Sequence, residues 1–371
     1  MSHGVTGSGL PAPGLVGEWL RAAAADPAAL PDDGYAALLG ADGRQLDELC
    51  AIADALRRQA VGDELTYVVN RNLDTAAVAG PDPASRQRLA ALVAEARELG
   101  ATEICMQGGL PPDSADDYLD LIAAVKAAAP DIHLHAFRPP ELLDGAARRG
   151  LPLAEFLAAA RQAGLGSVPG TAARILDDEV RAAMLGGPDA PVAQWTEVIE
   201  AAHRAGLTST STMVFGHVET PANQVAHLRL LAAIQASAVK NSSGGFTEFI
   251  AMPFVPAAAA VTAPGLAGTG APGPSWRQSR AVHAVARLML HGHIGNIQAA
   301  WPKYGLDASV DLLRAGANDL GGLLLDGRLA PEAGAEAGQV LTLGDVERIA
   351  GQLGRPLRQR TTGYGRVLAG A

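Results

Sequence analysis

Cysteine is nearly absent from this 371-residue chain, which contains only Cys50 and Cys105. Two thiols far apart in sequence make neither a disulfide framework nor a metal knuckle. A reducing cytoplasm is the expected setting for such a chain. Lysine is almost as scarce, with Lys126, Lys240 and Lys303 the only three, and the formal net charge is −10. A nucleic-acid-binding face needs clustered Lys and Arg, so that class of partner is excluded. No apolar run approaches the ~20 residues of a membrane span. Met1–Gly14 is rich in Gly, Ser and Pro and lacks the basic-then-apolar pattern of a secretion signal. Residues 1–31 are expected to be a flexible tail. The whole chain is 48% hydrophobic and only 18% charged, enough for a sizeable core.

From residue 63 onward, short apolar strands alternate with amphipathic helical stretches. The strands are expected at Leu65–Asn70, Glu103–Gln107, Ile132–Phe137, Ser167–Pro169, Ser209–Gly216, Thr247–Val255, Gly295–Ala300 and Asp319–Leu324. Helices are expected at Ser85–Leu99, Ser114–Ala128, Leu153–Ala163, Val192–Ala205, Pro221–Ala238, Trp276–Leu290 and Ala308–Ala315. The third of these carries Leu153, Phe156, Leu157 and Ala160 on one face, a 3.6-residue period. Eight strands separated by helices, with no linker, fit an α/β fold of the (βα) TIM-barrel type better than an open sheet. Residues 32–62 read as an N-terminal helical layer, 63–340 as the barrel and 341–371 as a helix and basic polar tail. Pro256–Pro274 reads as a long Ala/Gly/Pro loop.

In such barrels chemistry sits at the carboxyl ends of the strands. That rule selects Gln107, His135, Thr171, His217, Glu219, Asn296, Gln298 and Asn318. His133 and His135 are two apart on a strand and share a face. With His217 and Glu248 they suggest a metal that activates water, a hydrolase reading. Hydrogen bonding to a polar ligand, or a satisfied core imidazole, is the plainer account, and no metal site is assigned. Asn296, Gln298 and Asn318 present donor and acceptor together and suit the edge of a heterocycle. Cys50, Cys105, Trp195, Trp276 and Trp301 read as core. Met106-Gln107-Gly108-Gly109 is a strand exit at which glycine permits close backbone approach.

An ordered series of short blocks carries a family resemblance. It begins with Tyr67-Val68-Val69-Asn70-Arg71-Asn72 and Met106-Gln107-Gly108-Gly109. His133-Leu134-His135-Ala136-Phe137, Pro169-Gly170-Thr171-Ala172-Ala173 and Phe215-Gly216-His217-Val218-Glu219-Thr220 follow. Gly245-Phe246-Thr247-Glu248-Phe249, Asn296-Ile297-Gln298, Asn318-Asp319-Leu320-Gly321-Gly322 and Gln359-Arg360-Thr361-Thr362 complete it. Over residues 35–365 the chain resembles the tyrosine-using half of FO synthase, a radical S-adenosylmethionine (SAM) family that includes menaquinone-pathway enzymes of the same build. The resemblance implies a radical SAM barrel and a four-iron four-sulfur cluster that cleaves SAM to a 5′-deoxyadenosyl radical. It further implies attack on tyrosine, whose fragment joins 5-amino-6-ribitylaminouracil; a partner half then closes the deazaflavin chromophore. Gln107, Gly108, Gly109 and Thr171 would contact SAM. His133, His135, His217, Glu219, Glu248, Asn296, Gln298 and Asn318 would contact substrate.

The departures from the family are as informative as the matches. The family follows its first strand with CxxxCxxC, whose thiolates hold the cluster. Here the chain reads Leu73-Asp74-Thr75-Ala76-Ala77-Val78-Ala79-Gly80-Pro81-Asp82-Pro83, with Ala79 at the first cysteine position and Pro83 and Arg86 near the others. Arg174 replaces a glutamate of a Thr-x-x-Glu capping box, Arg138 a serine and Pro256 a histidine. The last strand ends Leu323-Leu324-Leu325-Asp326-Gly327 where the family has Thr-Leu-Met-Asn-Glu. The expectation is a cluster-free homologue that binds a ligand related to SAM, tyrosine or ribitylaminouracil, or serves as partner of an active paralogue. The alternatives are an active transferase with a cluster held by other ligands, and the hydrolase of His133, His135 and His217.

Overall fold

The structure is a computed structural model that describes residues 13–80, 83–112, 114, 116–185, 190–255, 273–324 and 341–367. The described chain opens with helices α1 (Pro13–Ala25), α2 (Asp32–Leu38) and α3 (Gly43–Val61). Strand β1 (Leu65–Asp74), the single turn α4 (Thr75–Val78), helix α5 (Pro83–Glu98), β2 (Glu103–Gln107), α6 (Tyr118–Ala128) and β3 (His133–Ala136) follow. Then come α7 (Pro139–Arg149), α8 (Leu153–Ala163), β4 (Ser167–Val168), α9 (Asp178–Leu185), α10 (Val192–Arg204) and β5 (Thr208–Phe215). The last elements are α11 (Pro221–Lys240), β6 (Phe246–Pro253), α12 (Trp276–Leu290), β7 (Ile297–Ala299), α13 (Trp301–Tyr304), α14 (Leu306–Arg314), β8 (Asp319–Leu324), α15 (Leu343–Leu353) and β9 (Leu357–Gln359).

Strands β1 to β8 pair in order, all parallel, and β8 returns to β1 to close an eight-stranded barrel. The eight expected strands are these eight. Helices cover the outside, so the strands are buried on both faces and read as near-continuous apolar runs. Local signals fix the helix starts. Capping boxes at Asp117, Thr220, Ser275 and Thr342 satisfy the first backbone N–H groups of α6, α11, α12 and α15. The N-terminal layer is anchored by α3 against α12, with an Arg280–Asp47 ion pair at 2.9 Å, and by α2 against α11, with Arg229–Asp32 at 2.7 Å.

Several expectations change. Residues 13–25, placed in a flexible tail, form α1, whose Val16, Leu20 and Ala23 are buried; residues 1–12 lie outside the described residues. Within the barrel α4, α7, α9 and α13 are additional. Thr171 caps no helix: it lies in a turn in which Ala172 and Arg174 have left-handed backbones (φ 74° and 51°), and α9 starts only at Asp178. The expected capping box at Thr171 and position 174 is therefore not part of this structure. Most of the 256–274 loop and the end of the barrel segment, 325–340, lie outside the described residues, including Pro256 and Leu325-Asp326-Gly327. No described helix is long and apolar enough to cross a membrane.

The C-terminal stretch is also more than a tail. β1 begins ahead of β2: its first pairing with β2 is Asn70 to Glu103. That would leave Leu65–Tyr67 as an open strand edge. β9 takes the edge, running parallel to Leu65–Tyr67. The chain that follows turns under the barrel, with the Arg360 N–H donating to the Tyr67 carbonyl at 2.8 Å.

Candidate functional site

A cavity of about 520 Å³ runs along the barrel axis. Its walls follow from strand alternation, which turns every second side chain inward. β1 contributes Asn70, Asn72 and Asp74; β2 contributes Glu103, Cys105 and Gln107; β6 contributes Glu248, Ile250 and Met252. The amino end of the barrel forms a floor of Asn70, Glu103, Glu248, Arg360 and Thr362. The carboxyl end forms a mouth of Asp74, Gln107, Gly108, Arg138, Thr171 and Lys303.

The floor is a buried polar network. Arg360 makes two bonds to Asp319, at 2.6 and 2.9 Å, and one to Glu248 at 3.1 Å. Its guanidinium stacks 4.0 Å above the Tyr364 ring, and the Tyr364 hydroxyl donates to Glu248. Glu103 accepts from Asn70 Nδ2 at 3.2 Å and from the Thr362 hydroxyl at 2.6 Å. Burial pushes the Glu248 carboxyl up to about 7, with Asp319 and Glu103 adding to the rise and Arg360 opposing it. Burial also acts to raise Glu103, but His135, the Thr362 hydroxyl and Arg360 together hold it below the usual carboxylate range. Burial drives His135 down to about 4, so its imidazole is neutral near pH 7. One hydroxyl, that of Ser167, meets both His135 Nδ1 (2.6 Å) and His133 Nε2 (2.7 Å).

The mouth is held by fewer contacts. Thr171 donates to Gln107 Oε1 at 3.0 Å, and Gln107 Nε2 donates to the Cys105 sulfur at 3.2 Å. Gly108 has φ 118°, and a Cβ there would lie 3.4 Å from both Asp74 carboxylate oxygens, so glycine suits the turn on two counts. Its N–H is already committed to Glu141 Oε1 at 3.1 Å. Glu141 also binds the Arg138 side chain, with Nε at 2.6 Å. The Trp301 indole donates to the Gly322 carbonyl at 3.1 Å.

Of the residues selected from sequence, Gln107, Gly108, Thr171, His135, Glu248 and Gln298 line the cavity. Gly109 does not, and His133 sits behind the wall on Ser167. His217 and Glu219 brace the loop after β5 instead. Glu219 accepts from the N–H groups of Gly216 (2.6 Å) and His217 (2.9 Å) and from Gln224 Nε2 (2.7 Å), and His217 Nε2 lies 3.1 Å from the Val214 carbonyl. Asn296 and Asn318 are at the amino ends of their strands, not the carboxyl ends. They bond to each other at 3.1 Å, and Asn318 Oδ1 accepts from buried Arg287 at 3.0 Å. Cys105 is buried, as expected of core, but also faces the cavity, and so does Trp301. Sequence reasoning missed Asn70, Asn72, Asp74 and Glu103, which the inward alternation of β1 and β2 would have found. It also missed Arg360 and Thr362 as floor residues, for which no local signal exists.

Among the described residues no three His, Cys, Asp or Glu side chains group to hold a metal ion. The hydrolase trio is not assembled, since His217 is committed to its own loop. The iron–sulfur cluster implied by the resemblance does not fit the donor set either. Between β1 and α5 the chain offers α4, Ala79 and Gly80, and none of residues 75–86 is a cysteine. The two thiols present, on α3 and β2, are both buried.

Residues 77–231 match the Radical SAM superfamily. The chain is 47% identical over 365 residues to the FO synthase of Nocardia farcinica and 46% identical to that of Streptomyces coelicolor, covering 94% of this chain in each case. It spans only 41% of the length of those FO synthases. It is 39% identical to the 5-amino-6-(D-ribitylamino)uracil–L-tyrosine 4-hydroxyphenyl transferase of Methanothermobacter thermautotrophicus, covering 88% of this chain and 91% of the relative. Among solved structures, methylornithine synthase superposes with a TM-score of 0.63 at 16% identity, covering 93% of this chain and 97% of that one. The FeFe-hydrogenase maturase HydG of Carboxydothermus hydrogenoformans gives 0.64 at 13% identity, covering 94% and 80%. These two likenesses show the fold. The sequence relatives show more: the chain belongs to the radical SAM family of FO synthase and its tyrosine 4-hydroxyphenyl transferase half.

Proposed function

We propose that this chain serves deazaflavin cofactor biosynthesis as a small-molecule-binding barrel that does not start radical chemistry by itself. The observation that carries the reading is a contrast within one site. The cavity carries inward polar side chains among apolar walls such as Val68, Ile250, Met252 and Trp301, while the segment where the family holds its cluster presents Ala79 and no thiolate. Iron–sulfur clusters are held by cysteine thiolates. Ligands related to tyrosine, 5-amino-6-(D-ribitylamino)uracil or SAM suit a cavity of this size and mixed lining. Gln107, Thr171, His135, Glu248 and Gln298 are the residues we propose to contact them. His133 would act indirectly, by holding Ser167 against His135. The chain corresponds to one part of the longer FO synthases, so work beside an active paralogue is part of the proposal. Two thiols outside any disulfide fit the cytoplasm.

The names of the relatives favour a second reading, and support it more directly than the first: an active transferase joining tyrosine to the ribitylaminouracil. It requires cluster donors other than those the family uses. One experiment separates the two. The purified chain is reconstituted anaerobically with iron and sulfide, then given SAM, tyrosine and reductant. The binding reading expects no stable cluster absorption and no 5′-deoxyadenosine, with a thermal shift on adding a pathway compound. Stoichiometric iron with deoxyadenosine formation establishes radical initiation and removes the first reading; a tyrosine–uracil adduct on adding 5-amino-6-(D-ribitylamino)uracil establishes the transferase.

A further inference from the structure

We propose that the cavity floor is a subsite for a positively charged nitrogen, the ammonium group of a small organic amine. The inference rests on the reading that the cavity binds a small molecule, and it starts from a count of charge. Three carboxylates reach the floor, Glu103, Glu248 and Asp319, against the single cation Arg360. Asp319 takes two of the Arg360 bonds and is compensated. Glu103 receives only the neutral donors Asn70 and Thr362. The neighbouring imidazole of His135 is neutral near pH 7 and adds no positive charge. Arg360 is thus shared among three carboxylates, and Glu248, pushed up by burial to about 7, is only partly ionised near neutral pH; an entering cation would let it ionise fully.

Two acceptor atoms are also short of a donor. Both bonds to Glu248 converge on Oε2, and among the described residues no donor reaches Oε1. Asn70 is 7% exposed and lines the cavity, yet its Oδ1 is buried with no partner. Gly322 makes room for that oxygen: a Cβ there would lie 2.1 Å from it. An ammonium group brings one positive charge and three donors, and its bonds to a carboxylate are of the strong, charge-assisted kind. The rim has the opposite character, with Lys303 exposed at the mouth. An amine would therefore enter with its ammonium group toward the floor. The α-ammonium of an aromatic amino acid and that of SAM share this chemistry.

The test is calorimetric titration of the full chain with tyramine, with 3-(4-hydroxyphenyl)propanoate, and separately with L-tyrosine, SAM and 5-amino-6-(D-ribitylamino)uracil. Tyramine is expected to bind at least about tenfold more tightly than the deaminated acid, the factor worth one charge-assisted hydrogen bond. Glu248→Gln, which keeps shape and removes charge, is expected to weaken tyramine about tenfold and leave the acid unchanged. Tighter binding of L-tyrosine than of SAM assigns the site to the aromatic amino acid, and the reverse order to SAM. Equal binding of tyramine and the acid overturns the proposal, as does a folded Glu248→Gln that binds tyramine normally, or failure of every amine to bind. If the uracil binds and no amine does, the subsite falls while the proposed function stands. If no pathway compound binds, both fall. Should Glu248→Gln not fold, the tyramine-to-acid ratio on the native chain decides alone.

Discussion

The two ends of the barrel have been built to different standards. At the amino end, residues from β1, β2, β6, β8 and the segment after β9 interlock through Arg360 and Thr362, and these links are buried. At the carboxyl end, beside β1, the chain runs through one helical turn capped by Asp74, whose Oδ1 accepts the Ala77 N–H at 3.1 Å, and then through Ala79 and Gly80. The contrast teaches how differently the two ends are held. The floor depends on contacts between strands, which constrain one another. The loop beside the mouth depends on a single capped turn, and none of residues 75–86 is a cysteine.

The sharpest way to break the comparison is to remove its centre. Arg360→Ala leaves buried Glu248 and Asp319 without their cation and is expected to cost about 3–5 kcal/mol of stability, read by urea unfolding. A loss below about 1 kcal/mol would mean the floor is not interlocked. Acid comes next. Burial drives His135, His203 and His283 down to about 4 and His227 to about 3, from the ordinary 6.5. Their folded-state values are depressed, so the stability they allow is fully present above pH 6.5. It is lost as pH falls through 4, with up to about 1.4 kcal/mol per pH unit from each residue. Glu248 has the opposite sign: raised to about 7, it favours the fold below the ordinary carboxylate value and loses that contribution as pH rises through 7. Unfolding midpoints flat from pH 7 to 4 would contradict the burial of the four imidazoles.

At the mouth the effects should shrink. Gly108→Ala places a side chain at φ 118° against Asp74 and is expected to cost about 1–2 kcal/mol by thermal melting. Ala79→Ser, at the position where the family has its first cysteine, is expected to change stability by less than about 0.5 kcal/mol. A large loss there would show that the loop carries structure the floor does not.

The barrel itself was legible because its signals are local. Alternation of short apolar strands with 3.6-period helices needs no knowledge of what touches what, and it placed all eight strands. The same alternation implied that Gln107, His135 and Glu248 face inward. It misled at Asn296 and Asn318, which precede their strands and so sit at the wrong end of the barrel for chemistry. It was silent on β9, three half-buried residues whose role is to occupy an edge left by β1. Arg360 and Thr362 were beyond sequence reasoning for a related reason: their partners Glu248 and Glu103 are 112 and 259 positions away. Pro256, in the Pro/Ala/Gly stretch after β6, and Leu325, past the eighth strand, lie outside the described residues.

The closure of the base by β9 has a consequence for how the molecule is made. A ribosome delivers all eight staves of the barrel before it delivers Arg360, since chains emerge from the amino terminus onward. Until then the nascent tube stands open beneath, with Asp319 and Glu248 lacking their counter-ion. The final ring of contacts is therefore formed late, and a released chain that ends near residue 356 should be far more readily cleaved by protease than the full chain.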